Sequence, residues 1–148
     1  MIAIGADHGG YKLKEEIKKY LDEKGIEYID VGTYTEDRTD YPIYAKKVAE
    51  KLQSKECDKG IIACRSGAGM AIVANKFKGI RAASIHNELE AKFAKSDDNI
   101  NVLTLGGDYL TVNEAICIIR NWIGTEFKGG RYQERLEMIE EIEKENMK

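Results

Sequence analysis

The sequence predicts a three-layer α/β/α domain, Rossmann-like in plan, with a five-stranded parallel sheet and an additional C-terminal helix. Two observations carry this reading. Short apolar, β-branched runs alternate with longer amphipathic stretches along the chain, which is the rhythm of repeated βα units. The first and third of those runs stop at polar, reactive residues beside glycines, Asp7-His8-Gly9-Gly10 and Cys64-Arg65-Ser66-Gly67-Ala68-Gly69, as strands do when their carboxyl ends face a ligand crevice. The 148 residues suit a single domain, 1–148, since a chain of that size hides roughly 70% of its unfolded surface.

Strands are expected over 2–6, 27–31, 60–63, 81–84 and 102–105, where apolar and β-branched residues run without a helical period. Residues 11–24 repeat apolar side chains at Leu13, Ile17, Tyr20 and Leu21 and stop at Gly25, a residue suited to the turn past a helix end. Pro42, the only proline, opens a helix over 43–52, where its missing N–H costs little. Helices over 67–76, 88–94 and 112–123 complete the crossovers, the last capped by Thr111. Right-handed connections then place helices on both faces of the sheet. After Gly129-Gly130, residues 133–144 form a further helix with Leu136, Ile139 and Ile142 on one narrow stripe. That helix packs on its own domain or reaches a neighbouring subunit, and residues beyond about 145 fray.

Bulk properties exclude several functions. A formal net charge of -3, with 33% charged residues of both signs well mixed, provides no field for nucleic acid or an anionic membrane surface. Any anionic ligand must be held by a local pocket. No apolar run approaches the ~20 residues of a membrane span, and no leader pattern precedes the first strand. The three cysteines, Cys57, Cys64 and Cys117, are odd in number and lack CxxC spacing, which points to a reducing cytoplasm. Two histidines without ligand spacing argue against a metal site.

Cys64 ends a strand directly before a glycine-rich loop that starts a helix. Free N–H groups there favour a thiolate, lowering the thiol pKa from about 8.5 toward neutrality, so that Cys64 acts as base or nucleophile. Cys57 and Cys117 lack such a loop and are expected to be structural. The amides of Ser66, Gly67, Ala68 and Gly69 suit a phosphate or a developing oxyanion. The third glycine of a dinucleotide fingerprint and the GKS/T of a P-loop are missing. Across the crevice, Asp7 serves as a hydroxyl acceptor and His8 as an anion-binding or proton-handling imidazole, while His86, just after the fourth strand, is the lesser candidate. Arg131 and Arg135 stand i, i+4 on one helical face, either paired with neighbouring glutamates or forming a two-arginine phosphate clamp.

In their order and spacing these pieces resemble the ribose-5-phosphate isomerase B family, which also contains galactose-6-phosphate and allose-6-phosphate isomerases. The resemblance spans essentially the whole chain. It rests on Asp7-His8-Gly9-Gly10, Asp30-Val31-Gly32-Thr33-Tyr34, Arg38-Thr39-Asp40-Tyr41-Pro42, Cys64 with Gly67-Ala68-Gly69-Met70, Ala74-Asn75-Lys76 with Gly79-Ile80-Arg81-Ala82-Ala83, Asn101-Val102-Leu103, and Gly129-Gly130-Arg131. It implies an aldose-ketose isomerase without metal or organic cofactor, working as a homodimer or homotetramer with sites at the subunit interface. By resemblance, Cys64 is the base moving a proton between C1 and C2, and Ser66 with the loop amides holds the enediolate oxygen. Asp7 and Tyr41 contact sugar hydroxyls, and His8, Arg131 and Arg135 surround the phosphate.

Three positions depart from the family pattern. Where the family has His-Asn-Asp-x-Asn-Val, with the histidine opening the sugar ring, this chain reads Asp97-Asp98-Asn99-Ile100-Asn101-Val102, so Asp97 takes the ring-opening position and Asp98 a substrate-binding one. Gly106-Gly107-Asp108 stands where a partner-subunit arginine commonly reaches the phosphate. Cys64-Arg65-Ser66-Gly67 replaces Cys-Gly-Thr-Gly, adding Arg65 as a substrate-binding cation. Ribose 5-phosphate and ribulose 5-phosphate are the expected pair. The alternatives are another sugar phosphate, of the galactose 6-phosphate or allose 6-phosphate type, and a non-catalytic sugar-phosphate binding subunit.

Overall fold

The computed structural model describes residues 1–147. Five parallel strands, β1 (Ile2–Ala6), β2 (Tyr28–Asp30), β3 (Lys59–Cys64), β4 (Ala82–Ser84) and β5 (Val102–Gly106), form one sheet in the order β2-β1-β3-β5-β4. Helices α1 (Tyr11–Glu23), α2 (Tyr41–Gln53), α3 (Ala68–Ala74), α4 (Glu88–Asp98) and α5 (Val112–Gly124) follow the strands in turn, and α6 (Arg131–Asn146) closes the chain. The expected three-layer α/β/α plan and the additional helix are both present. No described helix is long and apolar enough to cross a membrane.

Alternation along each strand builds two cores. Ile4, Ile61, Leu103 and Leu105 pack against Leu13, Ile17 and Leu21 of α1, Ala91 of α4, and Ile118 and Trp122 of α5. Ala3, Ile62, Cys64 and Val102 face the other way, against α2 and α3 through Tyr44, Val48, Met70 and Ala74. The Trp122 indole N–H donates to the Ile100 carbonyl at 3.0 Å, tying α5 to the approach of β5. Thr111 caps α5 as expected, its hydroxyl accepting from the Glu114 N–H while the Glu114 carboxylate accepts from the Thr111 N–H, a reciprocal capping box.

Several boundaries move. Helix α2 starts at Tyr41, with Pro42 inside its first turn. Helix α4 continues past residue 94 to Asp98 and closes at Asn99 in the left-handed conformation, φ 45°. Its last turn, Lys95-Ser96-Asp97-Asp98, has no apolar period to announce it. Helix α6 begins at Arg131 rather than 133 and ends at Asn146.

Lys14, not Tyr20, is the fully buried addition to the apolar stripe of α1. Its ammonium meets both Asp30 carboxylate oxygens at 2.7 Å; Lys18 donates to Oδ2 at 2.9 Å and the Gly32 amide to Oδ1 at 2.8 Å. Burial would push the Asp30 carboxyl up, but these donors outweigh it and hold it below the usual carboxylate range. The loop so held returns to β1, where the Thr33 N–H donates to Ala6 O at 2.7 Å and the Ala6 N–H to Gly32 O at 2.8 Å. Asp30→Ala leaves the buried Lys14 charge only the Glu15 carboxylate at 3.5 Å and is expected to cost about 3 kcal/mol in urea denaturation, with Lys14→Met costing less because Lys18 and the amide still serve Asp30. Because the folded carboxyl titrates below its unfolded value of about 3.9, the contribution is full above that pH and is lost as pH falls through the lower folded value. The stability gap between wild type and Asp30→Asn should therefore close only in strong acid.

Candidate active site

The strand order reverses direction between β1 and β3, the place where open α/β sheets bind ligands beyond their carboxyl ends. Asp7 and Cys64 are the residues there, since Ala6 pairs with Ala63 in register. Asp7 is buried to 8% exposure, and its Oδ1 accepts from the Gly10 N–H at 3.0 Å. The second carboxylate oxygen is left for a ligand hydroxyl. His8 Nδ1 lies 3.2 Å from the Thr39 amide and 3.1 Å from the Thr39 carbonyl. The neutral ring accepts from the amide and the charged ring donates to the carbonyl. In the tautomer that accepts from the amide, Nε2 carries the proton and is a donor for an anion.

Cys64 Sγ accepts from the Gly67 N–H at 2.9 Å. Gly67, at φ 83°, adopts a conformation that side chains rarely take, which turns its amide back onto the sulfur. Burial is nevertheless the largest influence on the thiol and raises it; the Gly67 amide pulls it down, the Asp7 charge raises it, and the Ser66 and Met70 amides pull it down. The balance lies above the ordinary value, which corrects the expected drop toward neutrality. The seven-residue α3 contributes local amides rather than a long helix dipole.

The rest of this pole is packed around those two strands. A Cβ on Gly10 would fall 2.1 Å from the Ala63 carbonyl oxygen, and one on Gly106 2.7 Å from Ser66 O. The Gly107 N–H donates to Cys64 O at 2.7 Å, and the Thr104 hydroxyl to Gly67 O at 2.9 Å. Arg65 is exposed and lies across Gly9, whose missing Cβ leaves room for the arginine stem. Ser66 Oγ accepts from the Ala68 N–H at 3.3 Å. The Tyr41 ring covers Gly69 closely enough that a Cβ there would meet it at 2.7 Å. Asp7, His8, Tyr41, Cys64, Arg65, Ser66, Gly67, Ala68 and Gly69 thus share one pole.

Asp97, Asp98, Arg131 and Arg135 do not join them within one chain. Helix α4 runs back from the carboxyl end of β4, so Asp97 and Asp98 in its last turn lie beyond the amino ends of the strands. The four residue steps of β3 from Gly60, opposite Val102, to Cys64 amount to about 13 Å of sheet. At this second pole Lys128 pairs with Asp97 Oδ1 at 3.0 Å, and Ser96 Oγ donates to the same oxygen at 3.0 Å. These donors, Lys128 first, hold the Asp97 carboxyl below its usual range. Asp98 is exposed beside it. Lys128, Arg131 and Arg135 surround the Tyr132 ring at 4.8, 5.1 and 5.3 Å from its centroid. No inward pairing of Arg131 or Arg135 with carboxylates is present among the described residues. His86 contacts Glu90 Oε1 at 3.1 Å in an exposed position after β4.

The sequence assigns no site role to Thr39, Lys128 or Tyr132. Thr39 acts through its backbone, which no side-chain pattern announces. Lys128 precedes α6 and so escapes the helical spacing that draws attention to Arg131 and Arg135, although three basic residues in eight straddling a Gly-Gly pair are a signal in hindsight.

An open α/β sheet with an acid, an imidazole and a thiol at its switch point, and a separate cluster of cationic side chains, is the arrangement of a small-molecule enzyme. The chain matches the model of the Ribose/Galactose Isomerase family over residues 2–139, and it belongs to that family. It is 43% identical to ribose-5-phosphate isomerase B of Escherichia coli over 142 residues, covering 96% of this chain and 95% of that protein. Among solved structures it is similar to the Clostridium thermocellum ribose-5-phosphate isomerase B, with TM-score 0.95, 44% identity and 97% of each chain covered. It is also similar to the Mycoplasma genitalium enzyme with bound ribulose 5-phosphate, with TM-score 0.93, 38% identity, and 98% and 97% covered.

Because burial raises the Cys64 thiol, its alkylation by iodoacetamide at neutral pH should be slow and should climb with pH to a midpoint above the ordinary value of about 8.5. Peptide-resolved mass spectrometry reads this directly, and a midpoint near neutrality would show that the loop amides outweigh burial.

Proposed function

We propose that the chain interconverts ribose 5-phosphate and ribulose 5-phosphate as a cofactor-independent aldose-ketose isomerase. The observation that carries the mechanism is the position of Cys64, buried beside Asp7 at the sheet switch point with amides converging on its sulfur. In the aldose direction the Cys64 thiolate removes the C2 proton of the open-chain sugar, and the electron pair moves through C1 to the carbonyl oxygen, forming an enediolate. Return of the proton to C1, with transfer of the O2 proton to O1, leaves the ketose. Ser66 and the loop amides stand near the developing oxyanion, where fixed donors lower the barrier most. Asp7 and Tyr41 orient the sugar hydroxyls, and His8 Nε2–H takes a phosphate oxygen.

The separation of the two poles supports a working unit of at least two copies. A two-fold arrangement that brings the second pole of one chain over the Cys64 pole of the other gives each site Arg131, Arg135, Asp97 and Asp98 from the partner. Those cations add a positive field that favours the thiolate against its burial. Asp97 enters as a carboxylate, able to accept the anomeric hydroxyl proton and so assist ring opening.

Cys64→Ala should abolish isomerisation while leaving ribose 5-phosphate binding within a few-fold, because the base acts in the chemical step. Arg131→Ala should raise KM far more than it lowers kcat. A chain carrying Cys64→Ala and a chain carrying Arg131→Ala with Arg135→Ala are each inactive at low substrate. Dissociated and reassembled as an equal mixture, half the dimers are mixed and each holds one intact site, so about a quarter of wild-type activity should return. No recovery in mixtures shown to exchange subunits would mean that both poles act within one chain or that the clamp is elsewhere.

A further inference from the structure

We propose that Lys128 is a third phosphate ligand beside Arg131 and Arg135, and that its ammonium exchanges the Asp97 carboxylate for a phosphate oxygen when substrate binds. The inference rests on the reading that this pole binds the phosphate of a sugar phosphate, and it extends that reading to residues to which neither sequence nor resemblance assigns such a part.

Charge and geometry carry it. Three cations gather on one phenol ring, Lys128 Nζ at 4.8 Å, Arg131 Cζ at 5.1 Å and Arg135 Cζ at 5.3 Å from the Tyr132 centroid, and Arg131 Nη2 donates to Tyr132 Oη at 3.2 Å. Among the described residues, Asp97 is the one carboxylate within ion-pair distance of any of them. The cluster therefore carries an excess of two positive charges at close quarters, an arrangement that favours a dianion over a single carboxylate. Lys128 is anchored at its backbone, where its N–H donates to Ser96 O at 3.0 Å. Its side chain is 48% exposed and that of Asp97 32%. A four-carbon stem on a fixed anchor lets the ammonium turn from Asp97 to a phosphate oxygen without moving the helix, and its three donors need no fixed plane. Asp97 keeps the Ser96 hydroxyl as a partner at 3.0 Å after the exchange, so it is not left bare.

The exchange links the two ends of the substrate. The Lys128 contact is what chiefly holds the Asp97 carboxyl low, so engaging Lys128 with phosphate raises the basicity of Asp97 as the sugar ring arrives. A sugar without phosphate leaves the pair closed.

The test is competitive inhibition by inorganic phosphate of ribose 5-phosphate turnover at constant ionic strength, in wild type, Lys128→Met, Asp97→Asn and Arg131→Ala. Lys128→Met should raise the inhibition constant about tenfold, the effect of one charged hydrogen bond at a half-exposed site. Asp97→Asn should lower it a few-fold, because the carboxylate that competes for Lys128 is gone. A pair that is merely structural would weaken phosphate binding in both variants. An unchanged constant in Lys128→Met, or a raised one in Asp97→Asn, overturns the proposal while Arg131→Ala still weakens phosphate. If Arg131→Ala leaves the constant unchanged as well, the phosphate reading of this pole fails with it.

Discussion

The Cys64 pole depends on a contact that leaves no room for a side chain. Gly10 lies so close to the last peptide of β3 that a Cβ would fall 2.1 Å from the Ala63 carbonyl oxygen and 2.7 Å from the Cys64 nitrogen. This approach lets the start of α1 settle onto the end of β3. It sets Asp7, whose carboxylate holds the Gly10 N–H, next to the thiol. Interiors are packed too densely to absorb a methyl group against a backbone, so a larger residue at Gly10 would lift α1 from the sheet and part the acid from the sulfur. Gly106 does the same for the fifth strand, where the Ser66 carbonyl passes 2.7 Å from a Cβ position. The reactive loops are thus held by backbone against backbone, which has less freedom than contact between side chains.

Much of this could be read from the sequence because it follows from short-range rules. Alternating apolar runs announce parallel strands, Thr111 announces a helix start, and glycines beside Asp7 and Cys64 announce close approach. What escaped depends on chain direction and on burial. Asp97 and Cys64 are both polar residues near strands, yet α4 is antiparallel to the sheet and its extra turn takes Asp97 to the far end. A lysine in a helix reads as solvated, and it is chiefly the encounter with Asp30 across the fold, with Glu15 at 3.5 Å beside it, that makes the burial of Lys14 tolerable. The thiol pKa escaped for a related reason: loop amides are visible in a glycine pattern, whereas the desolvation that outweighs them arises from Met70, Ala74 and the sheet face closing around the sulfur.

The two poles also differ in how they are built. One is rigid, made of strand ends and tight glycine turns. The other is made of long side chains on a helix start and the loop before it, grouped around one half-buried aromatic ring. Fixed dipoles suit a reacting centre, because they need not reorganise when charge develops. Long-stemmed cations suit the phosphate proposed for that pole, which would enter and leave with each turnover.

Trp122 lies against this second region from the inside. It is the only tryptophan, it is fully buried, and its indole N–H holds the Ile100 carbonyl at 3.0 Å, three residues along the chain from Asp97. Lys95 lies 6.0 Å from its ring. The one indole of the chain therefore stands buried at the junction of α4 and β5. Its emission, excited at wavelengths where the eight tyrosines do not absorb, reports the integrity of that junction without a label.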